Sequence, residues 1–63
     1  MFDPHNLIGL DVADAMPIAE SYGYIIRVME KDGQGLIGTC DYDDFRINVS
    51  VKDEKITSIL GIG

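Results

Sequence analysis

From Phe45 to Lys52 the chain alternates almost without a break: Phe45, Ile47, Val49 and Val51 fall on one side of an extended strand, and Arg46, Asn48, Ser50 and Lys52 on the other. This predicts a strand with one core face and one polar face. Asp53-Glu54 makes a turn into Lys55-Ile56-Thr57-Ser58-Ile59-Leu60, a last strand that closes with Gly61-Ile62-Gly63, so these two strands form a hairpin. Earlier in the chain the period changes. Val12, Ala15, Met16, Ala19 and Tyr22 recur at helical spacing with Ile18 beside them, which predicts an amphipathic helix of about three turns. Asp11 stands where it can cap the first free amides, Asp14 places negative charge in the first turn, and Gly23 can take the left-handed conformation that ends the helix. Pro17 removes one backbone hydrogen bond and is expected to kink the helix or shorten it to its first turn. Tyr24 to Met29, rich in β-branched and aromatic residues, predicts a buried strand that stops at the polar turn Glu30-Lys31-Asp32-Gly33.

Between the first two predicted strands lies the segment 30–44, with three glycines and no period of its own. Loops longer than about 12–15 residues are uncommon in compact domains and usually functional. A crossover of this length is also what two parallel strands require. With 63 residues there is room for one domain only, spanning 1–63, and no second core. The predicted fold class is α+β: one helix packed on a small, mostly parallel or mixed sheet, with a long exposed loop between the first two strands.

Charge and chemistry narrow the function. Eleven acidic residues against five basic ones give a net charge of −6, which opposes binding to nucleic acid and to anionic membranes. No apolar run approaches the roughly 20 residues of a membrane helix. The acidic start Met1-Phe2-Asp3-Pro4-His5-Asn6 has neither the basic residues nor the apolar stretch of a signal peptide. The sequence as written therefore reads as cytoplasmic, which one unpaired thiol suits, with a processed exported form left open. A domain of this size without a disulfide gains stability by association, so a homodimer is a natural expectation.

Catalytic candidates are few. Cys40 and His5 make only a two-residue match to a thiolate and imidazole pair, and His5 is read as a solvated residue of a mobile terminus. Asp41, Asp43 and Asp44 offer oxygen ligands, yet the glycine and distal glutamate of a calcium loop are missing. Gly33-Gln34-Gly35 with Gly38 lacks the lysine of a phosphate loop and sits among acids. No enzyme, metal or cofactor follows from these. What remains is the loop, with Arg46 and Asn48 two positions apart on the polar face of the strand that follows it. A guanidinium and an amide there can hydrogen-bond the loop from below and hold it extended, which lowers the entropic cost of entering a protein groove such as a protease cleft. Both side chains facing solvent is the alternative reading.

Thr39-Cys40-Asp41-Tyr42, then Arg46-Ile47-Asn48-Val49, Ile56-Thr57 and Gly63, resembles the potato inhibitor I family of serine protease inhibitors. It is most similar to the related bacterial and fungal elastase inhibitors, whose pattern is Thr-Met-Asp-Tyr, a short gap, Arg-Leu-Asn-Val and a closing Ile-Thr. Leu7-Ile8-Gly9 before the helix resembles that family's Leu-Val-Gly, so the likeness runs from about Leu7 to Gly63. The resemblance implies an inhibitory loop of Gly38, Thr39, Cys40, Asp41 and Tyr42, with the scissile bond at Cys40-Asp41 and with Arg46 and Asn48 as its support. It also implies a protease partner of subtilisin, elastase or chymotrypsin type, whose apolar primary pocket would take the small Cys40 side chain. The sequence departs from the pattern at Cys40, where Met or Leu is usual, at Gly38, and at the acids Asp43 and Asp44. Asn48 matches the bacterial branch and replaces a second arginine of the plant branch. From another class, the alternative is a non-inhibitory interaction or assembly module of the same fold, in which the acidic loop or an exposed strand edge docks a basic partner or a second copy; an acid-driven contact of this kind weakens as salt rises.

Overall fold

The computed structural model describes residues 2–36 and 42–63. A single turn of 3-10 helix, Pro4–Leu7, comes first, with Pro4 at its start and the Asp3 carboxylate accepting from the His5 amide at 3.0 Å. This turn delivers Leu7 into the core, where it is almost fully buried. The segment after it is tied by its backbone to the last strand: Gly9 N–H donates to Ile56 O (2.8 Å), Ile56 N–H to Leu10 O (2.9 Å) and Val12 N–H to Glu54 O (2.9 Å).

Helix α1 spans Val12–Ser21. Asp11 stands at the N-cap, as expected, but its carboxylate makes no capping bond and accepts instead from Lys55 Nζ at 3.2 Å. The isolated bridge between Asp11 and Lys55 explains this, because it sets the two side chains beside each other. Pro17 neither stops nor shortens the helix, which runs on through Ser21. The carbonyl that loses its donor belongs to Ala13, four residues earlier, and both residues are exposed, so water can replace the missing N–H. Gly23 ends the helix as expected, at φ 84°. Tyr24 N–H bonds Ala19 O and Gly23 N–H bonds Glu20 O, both at 2.9 Å, the paired arrangement of a Schellman motif. The buried stripe is narrower than the periodicity suggests. Ala15 and Ala19 are fully buried and Val12 partly, whereas Met16, Ile18 and Tyr22 are exposed.

The sheet has the order β2-β1-β3-β4, with β1 Ile25–Lys31, β2 Gln34–Gly35, β3 Arg46–Lys52 and β4 Lys55–Ile62. The central pair β1 and β3 is parallel and the outer pairs are antiparallel, so this is an α+β domain with a mixed sheet. β1 is half-buried rather than buried: Ile26 and Val28 pack against the core, while Ile25 on the other side is exposed. The strand also runs two residues further than its apolar run. Asp32 and Gly33, at φ 51° and 83°, then form a tight hairpin turn into β2, with Lys31 opposite Gln34. The long connection is therefore shorter than the sequence suggests, because its first residues continue the sheet.

β3 and β4 form the expected hairpin. Ile47, Val49 and Val51 are buried with Ile56, Leu7, Ala15 and Ala19 as the core. Phe45, expected on the same face, is exposed. It precedes the strand, where its amide donates to Asp43 Oδ1 at 2.8 Å, and its ring lies against Tyr24 with centroids 5.8 Å apart. Tyr24 and Tyr22 in turn pack on Phe2, at 5.5 and 4.5 Å. Leu60 and Thr57 are extra residues in the β3–β4 pairing, where the register shifts.

The turn between β3 and β4 places two non-glycine residues, Asp53 and Glu54, at φ 51° and 67°. For L-residues this conformation costs roughly 1–2 kcal/mol each, so Glu54→Gly is expected to raise stability by about 1 kcal/mol. A urea titration would show this as a higher midpoint at unchanged slope; an unchanged or lower midpoint would mean that the turn carries no strain. Among the described residues no helix is long and apolar enough to cross a membrane.

Candidate functional site

The second face of the sheet carries the polar side chains of β3, and it is covered rather than solvated. Arg46 and Ser50 are both buried, and Asn48 is half-buried. A buried guanidinium is costly unless it is hydrogen-bonded, and here it is. Arg46 Nε donates to the backbone oxygen of Gly63 at 3.0 Å, and Gly63 N–H returns a bond to Arg46 O at 2.9 Å. Asn48 Nδ2 donates to the same Gly63 oxygen, also at 3.0 Å. Arg46 and Asn48, expected to bond the loop, thus converge on the Gly63 oxygen, while loop residues 38–41 lie outside the described residues. The antiparallel pairing of β4 with β3 puts it there, since Gly61 stands opposite Asn48 and the chain continues past Arg46.

A third member was not legible in the sequence. Arg27 lies directly opposite Asn48 in the parallel β1–β3 pairing, and its Nε donates to Asn48 Oδ1 at 3.1 Å. The signal was a cation inside the apolar run Tyr24 to Met29, at a position that faces away from the core residues Ile26 and Val28. Among the described residues, no buried side-chain nitrogen or oxygen lacks a partner.

Tyr42 stands over this cluster. A Cβ placed on Gly63 would lie 3.4 Å from the Tyr42 ring and 3.7 Å from Asn48 Nδ2, ordinary contact distances that place the ring beside Gly63. The ring otherwise is largely exposed, and a hydrogen bond to Asp44, reinforced by that carboxylate's charge, raises the Tyr42 phenol above its usual pKa. Asp43 accepts from the Phe45 amide through its side chain and from the Arg46 amide (3.3 Å) through its carbonyl. The return arm from Tyr42 to Arg46 is thus a turn held by its own acids and seated beside Gly63. Of the expected loop residues, Gly38, Thr39, Cys40 and Asp41 lie outside the described residues.

Other candidates separate. His5 is exposed, with Nδ1 3.1 Å from Asp3 Oδ1, and the bond from its amide lowers the Asp3 pKa. It sits in the Pro4–Leu7 turn, exposed to solvent as expected. Asp43 and Asp44 are engaged locally as described, and no three His, Cys, Asp or Glu side chains gather among the described residues. On the helix side, a groove of about 570 Å³ runs between Val12, Met16, Val28, Leu36 and Val51, with Lys31 and Glu54 at its rim. It lies across the sheet from the Arg46 cluster.

The site is a hydrogen-bonded brace: two donors on β3, Arg46 and Asn48, converge on the Gly63 oxygen, and Arg27 on the parallel strand β1 donates to Asn48 in turn. Compared with family models, with curated proteins and with solved structures, the chain has no significant match in any of the three.

Proposed function

We propose that the protein is a serine protease inhibitor that presents Gly38-Thr39-Cys40-Asp41-Tyr42 to the enzyme as a substrate-like loop, with the scissile bond between Cys40 and Asp41. The observation that carries this reading is the convergence of Arg46 and Asn48 on the Gly63 oxygen beside Tyr42. A chain held from below on the leaving side of the scissile bond keeps the new amino terminus at Asp41 near the acyl-enzyme after attack. Rejoining the bond then competes with hydrolysis, and the enzyme stays occupied. The small side chain of Cys40 suits an apolar primary pocket of the subtilisin, elastase or chymotrypsin type better than one that selects a cation.

The test is a titration of the reduced protein against one protease of each of these three types, followed by intact-mass measurement of the mixtures. The expected result is stoichiometric inhibition of at least one of them, with slow cleavage confined to Cys40-Asp41. Rapid digestion at many bonds, or no effect on any of the three, would overturn the reading.

A further inference from the structure

We infer that Arg27 is a positioning residue of the loop brace, with Asn48 as the adaptor through which its guanidinium reaches the Gly63 backbone; the inference rests on the inhibitor reading for its functional consequence. The argument is one of donor and acceptor polarity. A guanidinium can only donate and a backbone carbonyl can only accept, so two arginines could both bond Gly63 O but could not bond each other. Asn48 lies between one of each kind. Its Oδ1 takes the Arg27 Nε–H at 3.1 Å, and its Nδ2 gives to Gly63 O at 3.0 Å. The opposite orientation of the amide would set NH2 against guanidinium and oxygen against oxygen, and would lose both bonds. Arg27 and the Gly63 oxygen therefore together fix which way the Asn48 amide points. Arg27 belongs to β1, before the long connection, whereas Asn48 and Gly63 follow it. The relay thus ties β1, the strand before the loop, to β3, the strand after it, and to Gly63 beside Tyr42, using the parallel pairing of Arg27 with Asn48.

Without Arg27 the Asn48 oxygen loses the donor that anchors it, and the hold of Asn48 on Gly63 weakens while the bond from Arg46 Nε persists. Arg27→Met, which keeps most of the aliphatic stem, is expected to raise the rate of Cys40-Asp41 cleavage by at least roughly tenfold, since at least one hydrogen bond involving a charge is lost. Association of enzyme and inhibitor is expected to be unchanged, because the loop sequence is untouched. Two readouts separate this from a merely structural role. In a double-mutant cycle with Asn48→Ala, the effects on the cleavage rate are expected to be strongly non-additive, since both changes break one relay; additive effects would overturn the inference. The second readout needs no protease: exchange of the Asn48 side-chain amide protons, followed by NMR, is expected to be slow in the unaltered protein and faster in Arg27→Met. Unchanged exchange in a folded variant would overturn the relay, and this holds whether or not any protease is inhibited. Should Arg27→Met fail to fold, Asn48→Asp decides. A carboxylate there still accepts from Arg27 but opposes the Gly63 oxygen, so cleavage is expected to quicken; unchanged or slower cleavage would show that charge pairing, not amide polarity, is what matters.

Discussion

Replacing Arg46 with alanine is expected to turn the protein from an inhibitor into a substrate while leaving it folded. The guanidinium supplies one of the two side-chain donors on Gly63 O among the described residues and is itself buried. Hydrogen bonds that involve a charged group contribute about 1.5–3 kcal/mol, which corresponds to a rise in the rate of loop cleavage on the order of tenfold to a hundredfold. The fold should survive because Arg46 is the first residue of β3, on the face opposite Ile47, Val49 and Val51. A time course of intact masses with an inhibited protease, beside a urea titration, separates the two effects. Inhibition that persists unchanged in a folded Arg46→Ala protein would remove the brace from the mechanism.

The largest effect on stability is expected at Ile47. This side chain is fully buried at the centre of the sheet, opposite Ile26 on β1 and Ile62 on β4. Truncating a buried isoleucine to alanine typically costs about 2–5 kcal/mol, through lost transfer energy and the cavity left behind. A domain of 63 residues has roughly 3–9 kcal/mol of stability in total, from about 0.05–0.15 kcal/mol per residue. Ile47→Ala should therefore lie close to its unfolding midpoint at room temperature, with collapsed dispersion in a proton–nitrogen correlation spectrum. Phe45→Ala is the matching control: its ring is exposed and outside β3, so the loss is expected to be about 1 kcal/mol or less. Equal losses at the two positions would contradict the placement of the core.

How far the sequence could be read depended on the kind of signal. The alternation in β3 and the glycine that ends α1 act through local geometry, and both could be placed from the residues alone. Pro17 and Asp11 misled because their local preferences were overridden by surroundings: an exposed Ala13 carbonyl in one case, and the Lys55 ammonium across the Asp11–Lys55 bridge in the other. The Asp32-Gly33 turn was visible as punctuation, but β2 beyond it is only two residues long and carries no period of its own. At the site, Arg46 and Asn48 stood out because they lie two positions apart on the polar face of the strand that directly follows the long loop. Arg27 did not, because its partner is 21 positions away and becomes its neighbour only through the parallel register. The common acceptor was beyond reach for a different reason: a backbone oxygen has no letter in the sequence.

The strip of backbone from Gly9 to Val12 that bonds to the start of β4 has a bearing on how the protein behaves at high concentration. The stretch Ile56-Thr57-Ser58-Ile59-Leu60 is uncharged, proline-free and rich in β-branched residues, the composition that stacks readily into amyloid-like assemblies when its edge is bare. In the native fold the Gly9–Val12 strip occupies the N–H and C=O of Ile56, and the extra residues Thr57 and Leu60 distort the remainder of the edge. The amino-terminal residues thus act as a built-in guard against fibril growth. Release of this strip, which also loosens Leu10 and Val12 from the core, is the step expected to precede assembly through β4.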